Sequence, residues 1–247
     1  MTRATELRKL VPWRTDFTAI SPVFAPLAPF VEPFAEAATF PSPEAIHDAL
    51  SSRATVAFVR SVPKTTRPSH RRGRPKREAA DLYDTAIFTR REVPTREGSW
   101  HDLLNALVWC MYPKAKWAVH ARQYALVTQG LDPSSGRLPG ARTREQDALA
   151  LFDEGGAVIV ARESLATTEA IEQALARGDA AGTIFGHAIY ESLVLGDPWP
   201  MVRAIVVGPG DVDAAIAAAI SGLHDPHALP RVTVRAIAEA RPLKSLA

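Results

Sequence analysis

Three short groups of residues in this chain carry side chains that could do chemistry. His101, Asp102 and Asn105 are spaced so that on a helix they share one polar face, 101 to 105 being i, i+4 and 102 to 105 being i, i+3. His187 and Glu191 repeat the i, i+4 spacing, at which an imidazole and a carboxylate can hydrogen-bond or bind one metal ion. Asp153 and Glu154 are adjacent acids at a helix-to-turn junction, where negative charge opposes the local dipole and so invites another explanation. If the fold brings these pieces together, His101, Asp153, His187 and Glu191 could hold Zn²⁺ or Mn²⁺ and activate water, with Asn105 and Glu154 completing a catalytic set for metal-assisted hydrolysis. The competing reading is a buried hydrogen-bonded network that fastens helix ends, because no HExxH or other fixed metal spacing is present. Asp102 also has a structural role open to it: Ser99-x-x-Asp102 resembles a capping arrangement, and an acid in a first helical turn is favoured.

A different chemistry is suggested by Arg71-Arg72-Gly73-Arg74-Pro75-Lys76-Arg77, which matches the core of an AT-hook. Glycine permits close approach to a minor groove, proline fixes an extended course, and the arginines suit the strong negative potential there. DNA is the partner this run implies, and a plain solvated surface loop is the alternative. Cys110 falls beside an apolar stripe and reads as a small hydrophobe rather than a nucleophile for His101 or His120. Gly208-Pro209-Gly210 lies between a strand and a helix but has Asp213 where a dinucleotide loop needs its third glycine, so it is a turn.

The elements that must position these residues follow from periodicity and punctuation. Residues 1–41 form an arm: Pro22, Pro26, Pro29 and Pro33 interrupt helical hydrogen bonding, and Phe17, Phe24, Phe30, Phe34 and Phe40 require it to wrap a core. Ser42-Pro43-Glu44 starts a short helix to about Ser51, and Thr55 to Arg60 reads as a strand. Residues 62–78 form an exposed basic loop, and Ala79 to Arg90 leans towards helix. Trp100, Leu103, Leu104, Leu107, Val108 and Met111 mark one helix face; Pro113 ends that helix and opens a second to about Gln129, giving a helical hairpin. Thr143 to Gln146 has capping-box spacing and opens a helix to about Phe152, followed by a turn at Asp153 to Gly156. Then come a strand at Ala157 to Ala161, helices at Thr168 to Arg177 and Thr183 to Leu195, a strand at Val202 to Val207, a helix at Asp211 to Ser221 and a last strand at Val232 to Ile237. The fold class is mixed α and β, helix-dominated: a single domain with a helical hairpin, a small sheet and a Pro-rich N-terminal arm.

Composition sets the outer bounds. The chain has 247 residues, 47% hydrophobic and 23% charged, enough for a sizeable core and too little charge density for wholesale disorder. One cysteine excludes an intramolecular disulfide, the charged N-terminus lacks a secretory pattern, and no apolar run suits a membrane span, so a reducing cytoplasm is the expected location. The net charge of +2 conceals seven bases from Lys64 to Arg77 with no acid among them. The cationic character therefore belongs to one segment and not to a broad face.

A resemblance accompanies these readings. Pro94-Thr95-Arg96, the run Trp100 to Trp109, Pro113, Lys114 and Lys116, then Arg144, Asp147-Ala148-Leu149, Leu151 to Ala157, and Phe185-Gly186-His187-Ala188 with Glu191 together resemble the bacterial family DUF3025, a family of unknown function. The resemblance runs from about Pro94 to Glu191, with a looser fit over Ser21 to Phe40, and implies a soluble bacterial protein without assigning a reaction. His120 departs from it, standing where a small polar residue such as asparagine is expected, and so does the long basic loop.

Overall fold

The computed structural model describes residues 11–61, 82–132, 141–197 and 200–244. The basic run from Arg71 to Arg77, and with it the whole expected loop at 62–78, lies outside the described residues.

The proline spacing of the arm produces what fixed φ and missing amides dictate: short 3-10 turns at Phe17–Ile20, Pro22–Leu27 and Glu32–Phe34 around a single α-helical turn, α1 (Ala28–Val31). Its apolar residues pay for this irregularity by burial, Phe17, Phe24 and Leu27 being fully enclosed. Phe17 packs edge-on against Trp100 at 5.1 Å between ring centroids, and Phe24 meets Tyr190 at 5.0 Å. The arm is thereby fastened to the helices that carry His101 and His187.

Helix α2 (Pro43–Ala54) begins with the Ser42 hydroxyl accepting from the Ala45 amide and runs one turn further than the proline and serine signals suggest, to a left-handed cap at Thr55. Strand β1 (Ala57–Arg60) pairs in parallel with β2 (Glu92–Thr95), which follows α3 (Tyr83–Arg90). The hairpin is as expected: α4 (Trp100–Met111), capped by the Ser99 hydroxyl on the Asp102 amide, and α5 (Pro113–Gln129), with proline at its first position. Every residue from Asp102 to Cys110 is buried, so the stripe is core and its polar face also points inward.

The capping box at Thr143 and Gln146 forms in both directions and starts α6 (Arg144–Gly155). This helix continues through Asp153 and Glu154, where a turn is the expectation from sequence; a buried lysine described below neutralises Asp153 and removes the electrostatic reason to stop. Strand β3 (Gly156–Ala161), α7 (Thr168–Arg177), β4 (Ala180–Ile184), α8 (His187–Val194), β5 (Met201–Val207), α9 (Val212–Ile220), β6 (Arg231–Thr233) and α10 (Val234–Ala238) complete the described elements. The four-stranded sheet has the order β4-β3-β5-β6, with β3 parallel to β5 and antiparallel to β4, and β5 antiparallel to β6.

Two expectations are corrected here. Thr183 and Ile184 belong to β4 and not to a helix, because Ala180–Ile184 finds a full ladder on β3 that outweighs the weak strand propensity of its alanines and glycine. The last expected strand ends at Thr233, whose hydroxyl accepts from the Ala236 amide and turns the chain into α10. The protein is mixed α and β with helix in the majority, ten helices against six strands among the described residues. No helix among them is long and apolar enough to cross a membrane.

Candidate functional site

The site forms where the start of α4, the end of α6 and the start of α8 meet. Backbone geometry at the α6 to β3 junction sets their spacing: the amides of Phe185 and Gly186 both donate to the Gly156 carbonyl, at 3.0 and 2.8 Å. A Cβ on Gly186 would lie 2.4 Å from the Glu154 carbonyl oxygen, so only glycine allows α8 to start this close to the end of α6. His187, the first residue of α8, is thus placed beside Asp153 and Glu154.

His187 is buried, and its Nδ1 lies 3.0 Å from the Asp153 carbonyl oxygen. A carbonyl can only accept, so this nitrogen carries the hydrogen. Burial, followed by the Lys116 ammonium nearby, holds the ring's pKa well below the usual imidazole range, which leaves Nε2 with a free lone pair. That atom lies 3.1 Å from Nε2 of His101 and 3.5 Å from Oε2 of Glu154. His101 Nδ1 is 2.9 Å from the Glu191 carboxylate. Burial works against the charged form of His101, but the Glu191 hydrogen bond and the field of Glu154 outweigh it, so its pKa is raised; in its charged form the ring donates from both nitrogens, to Glu191 and to the His187 lone pair. Partial burial raises the Glu154 carboxyl as well, against the attraction of His101.

Both imidazoles therefore have Nδ1 held by an acceptor, and both Nε2 atoms converge on one point beside a carboxylate. One ligand atom each from His101, Glu154 and His187 falls within a 4.8 Å group. In a tetrahedral zinc site with metal–ligand bonds of about 2.0 to 2.1 Å, neighbouring ligand atoms stand about 3.3 to 3.4 Å apart. The separations of 3.1 and 3.5 Å bracket that edge.

Asp153 and Glu191, candidate ligands from the sequence, stand one layer back. The Asp153 carboxylate accepts from Lys116 Nζ at 2.5 Å, with the lysine side chain fully buried and the Asp153 side chain 11% exposed. The lysine overcomes the cost of burial and holds this carboxyl well below its ordinary range. Glu191 orients His101 in the way an outer-shell carboxylate orients a metal-bound imidazole. Asp102, by contrast, is taken up by structure: its carboxylate accepts from the Arg96 amide, Nε and Nη2 at 2.6 to 2.8 Å, while its own amide is capped by Ser99.

The three groups open onto a cleft of about 390 Å³ that Asn105, Tyr83, Asp84, His120, Gln123 and Arg142 also line. Asn105 donates through Nδ2 to the Tyr83 hydroxyl at 2.9 Å. Tyr83, Asp84, His120 and Lys116 are absent from the candidates read from sequence. The one available signal is the i, i+4 spacing of Lys116 and His120 on the second hairpin helix, which gives no sign that this face is buried. Cys110 is buried, bonds to the Leu50 carbonyl, and is pushed up to about 12 by burial, as a packed thiol and not a nucleophile.

Comparison with known proteins places the chain in a family. The model described as "Protein of unknown function (DUF3025)" matches residues 73–221, more than half of the chain, and the chain belongs to that family. No curated protein and no solved structure matches it at a significant level. The site's three converging groups all lie within the matched span.

Proposed function

We propose that this member of the DUF3025 family is a metal-dependent hydrolase, with one divalent ion, Zn²⁺ or Mn²⁺, held by His101 Nε2, His187 Nε2 and the Glu154 carboxylate. The observation that carries this reading is the paired orientation of the two rings. Asp153 and Glu191 occupy both Nδ1 atoms, and the two Nε2 atoms stand 3.1 Å apart with Glu154 beside them. A network that merely fastened helix ends has no need to gather three potential ligand atoms within 4.8 Å of one another.

Three protein ligands leave a position for water, whose pKa a bound zinc brings to about 7, so that hydroxide forms at neutral pH. The cleft that contains the three groups admits a substrate to that position. Loading the ion requires the proton between the two Nε2 atoms to leave, so binding releases protons.

Calorimetric titration of Zn²⁺ into metal-free protein, with metal content measured on protein purified without added metal, tests the reading. One ion per chain is expected, with binding lost in His187→Ala and weakened about 10- to 100-fold in Glu191→Gln, which removes only the carboxylate behind His101. The absence of saturable Zn²⁺ and Mn²⁺ binding at micromolar protein would refute it.

A further inference from the structure

A second imidazole dyad faces the same cleft. His120, 2% exposed, holds its Nδ1 2.8 Å from the Asp84 carboxylate and lies flat on Trp109, the two rings 5.4 Å apart and inclined by 9°. A carboxylate accepts, so Nδ1 carries a hydrogen and the ring is fixed with Nε2 as the nitrogen that can exchange a proton. That Nε2 is buried and has no hydrogen-bond partner in the protein. The same is true of Asn105 Oδ1, on a side chain that is 4% exposed. The two are joined through Tyr83, whose hydroxyl accepts from Asn105 Nδ2 and whose ring meets His120 edge-on at 5.6 Å. Buried polar atoms cost free energy unless they are satisfied, and two such atoms lining one cleft mark the place where a bound molecule satisfies them.

Their chemistry restricts that molecule. The atom of Asn105 left without a partner is its Oδ1, which can only accept, so the group facing that oxygen must carry a hydrogen. Asn105 follows His101 by four residues on α4, which puts the two on the same face of the helix, about one turn apart. An amide nitrogen has a hydrogen for Asn105 and must gain another to leave as an amine, whereas an ester oxygen has none to give and would set its lone pairs against Oδ1.

Building on the metal reading, we infer that the substrate is a carboxamide, that His120 backed by Asp84 protonates its leaving nitrogen, and that Asn105 Oδ1 accepts from that nitrogen's own N–H. The oxygen of the activated water forms a bond to the acyl carbon and the C–N bond breaks. Its electron pair goes to nitrogen, which takes the Nε2 proton of His120. The proton lost by the water restores His120, so one amide and one water give one carboxylic acid and one amine.

The test pairs 4-nitroanilides with 4-nitrophenyl esters of the same acyl groups, on the zinc-loaded protein. 4-Nitrophenolate leaves without a proton, so the ester bypasses the step assigned to His120. His120→Gln is expected to lower kcat/KM for the anilide by about 100-fold or more, and for the ester by less than about 10-fold. Asn105→Ala is expected to shift the anilide-to-ester ratio towards the ester by at least about 10-fold. Asp84→Asn, which leaves the His120 ring in place, is the second variant and should reproduce the His120→Gln pattern in weaker form; circular dichroism and zinc titration confirm that each variant folds and loads. Equal losses on both substrates, or wild-type turnover of ester without anilide, would overturn the inference. Zinc binding without hydrolysis of any anilide overturns it while leaving the metal site intact, and loss of zinc binding itself removes the reading beneath it.

Discussion

Replacing Lys116 by methionine should expose how strongly the site's foundation depends on one buried charge pair. The Lys116 side chain is fully buried and its ammonium stands 2.5 Å from Asp153 Oδ1. Methionine keeps most of the volume but leaves the carboxylate in a protein interior without a counter-charge, a change that costs about 3 to 5 kcal/mol. In a chain of this size, that corresponds to a fall in Tm of about 6 to 20 °C. The pH dependence carries the more specific signature. In the wild type the Asp153 carboxyl is held well below its ordinary value of 3.8, so the pair's stabilisation is present above 3.8 and is lost as pH falls below it. In Lys116→Met burial prevails and raises the folded-state value above 3.8. The variant then carries no such penalty below 3.8, loses stability as pH rises from 3.8 to that raised value, and bears the full penalty above it. The stability gap should therefore be widest near pH 7 and narrow towards pH 4. Urea denaturation at both pH values measures it, with Lys116→Met combined with Asp153→Leu recovering most of the loss. A gap below about 1 kcal/mol at pH 7, or one that grows on acidification, would refute the reasoning.

Two further outcomes concern the core and the basic run. Leu104 and Leu107 are fully buried on α4, and truncation of either to alanine should cost about 2 to 5 kcal/mol in urea denaturation; a loss below about 0.5 kcal/mol for both would remove the stripe from the core. We propose that Arg72 and Arg74 contact DNA as a hook, so their double replacement by alanine should weaken binding to A·T-rich duplex more than to G·C-rich duplex in fluorescence anisotropy, with wild-type affinity falling steeply from low to physiological salt. No wild-type binding to either duplex at low salt and micromolar protein would leave the run as a solvated segment.

The elements that the sequence makes legible are those whose signals are local. The stripe from Trp100 to Met111, the proline at 113 and the capping box at Thr143 each identify a helix; the first two form at nearly the expected bounds, and the third starts where expected but runs on to Gly155. What local pattern cannot supply is pairing. Strand β2 contains Pro94 and β4 is mostly alanine and glycine, and both exist because a partner strand offers a ladder. The same distinction runs through the site. The two histidines and the acids near them are visible by type, but the assignment of Glu191 to a metal came from its i, i+4 spacing to His187, a rule about one helix. The structure pairs Glu191 with His101, ninety residues away in sequence, because His187 Nδ1 is already taken by the Asp153 carbonyl.

The layer behind the site explains why its ligands can be so ordinary in sequence. A metal motif such as HExxH fixes two ligands by helical spacing alone, which makes it readable. Here the distance from Glu154 to His187 is set by two backbone bonds to the Gly156 carbonyl and by the missing side chain at Gly186, and the distance from His187 to His101 by the packing of α8 against α4. Lys116 then neutralises the acid that would otherwise end α6 before Glu154. Each of these is a tertiary arrangement. Glycine at 186 and lysine at 116 therefore help set the site's geometry, although neither offers an atom to the three-group cluster.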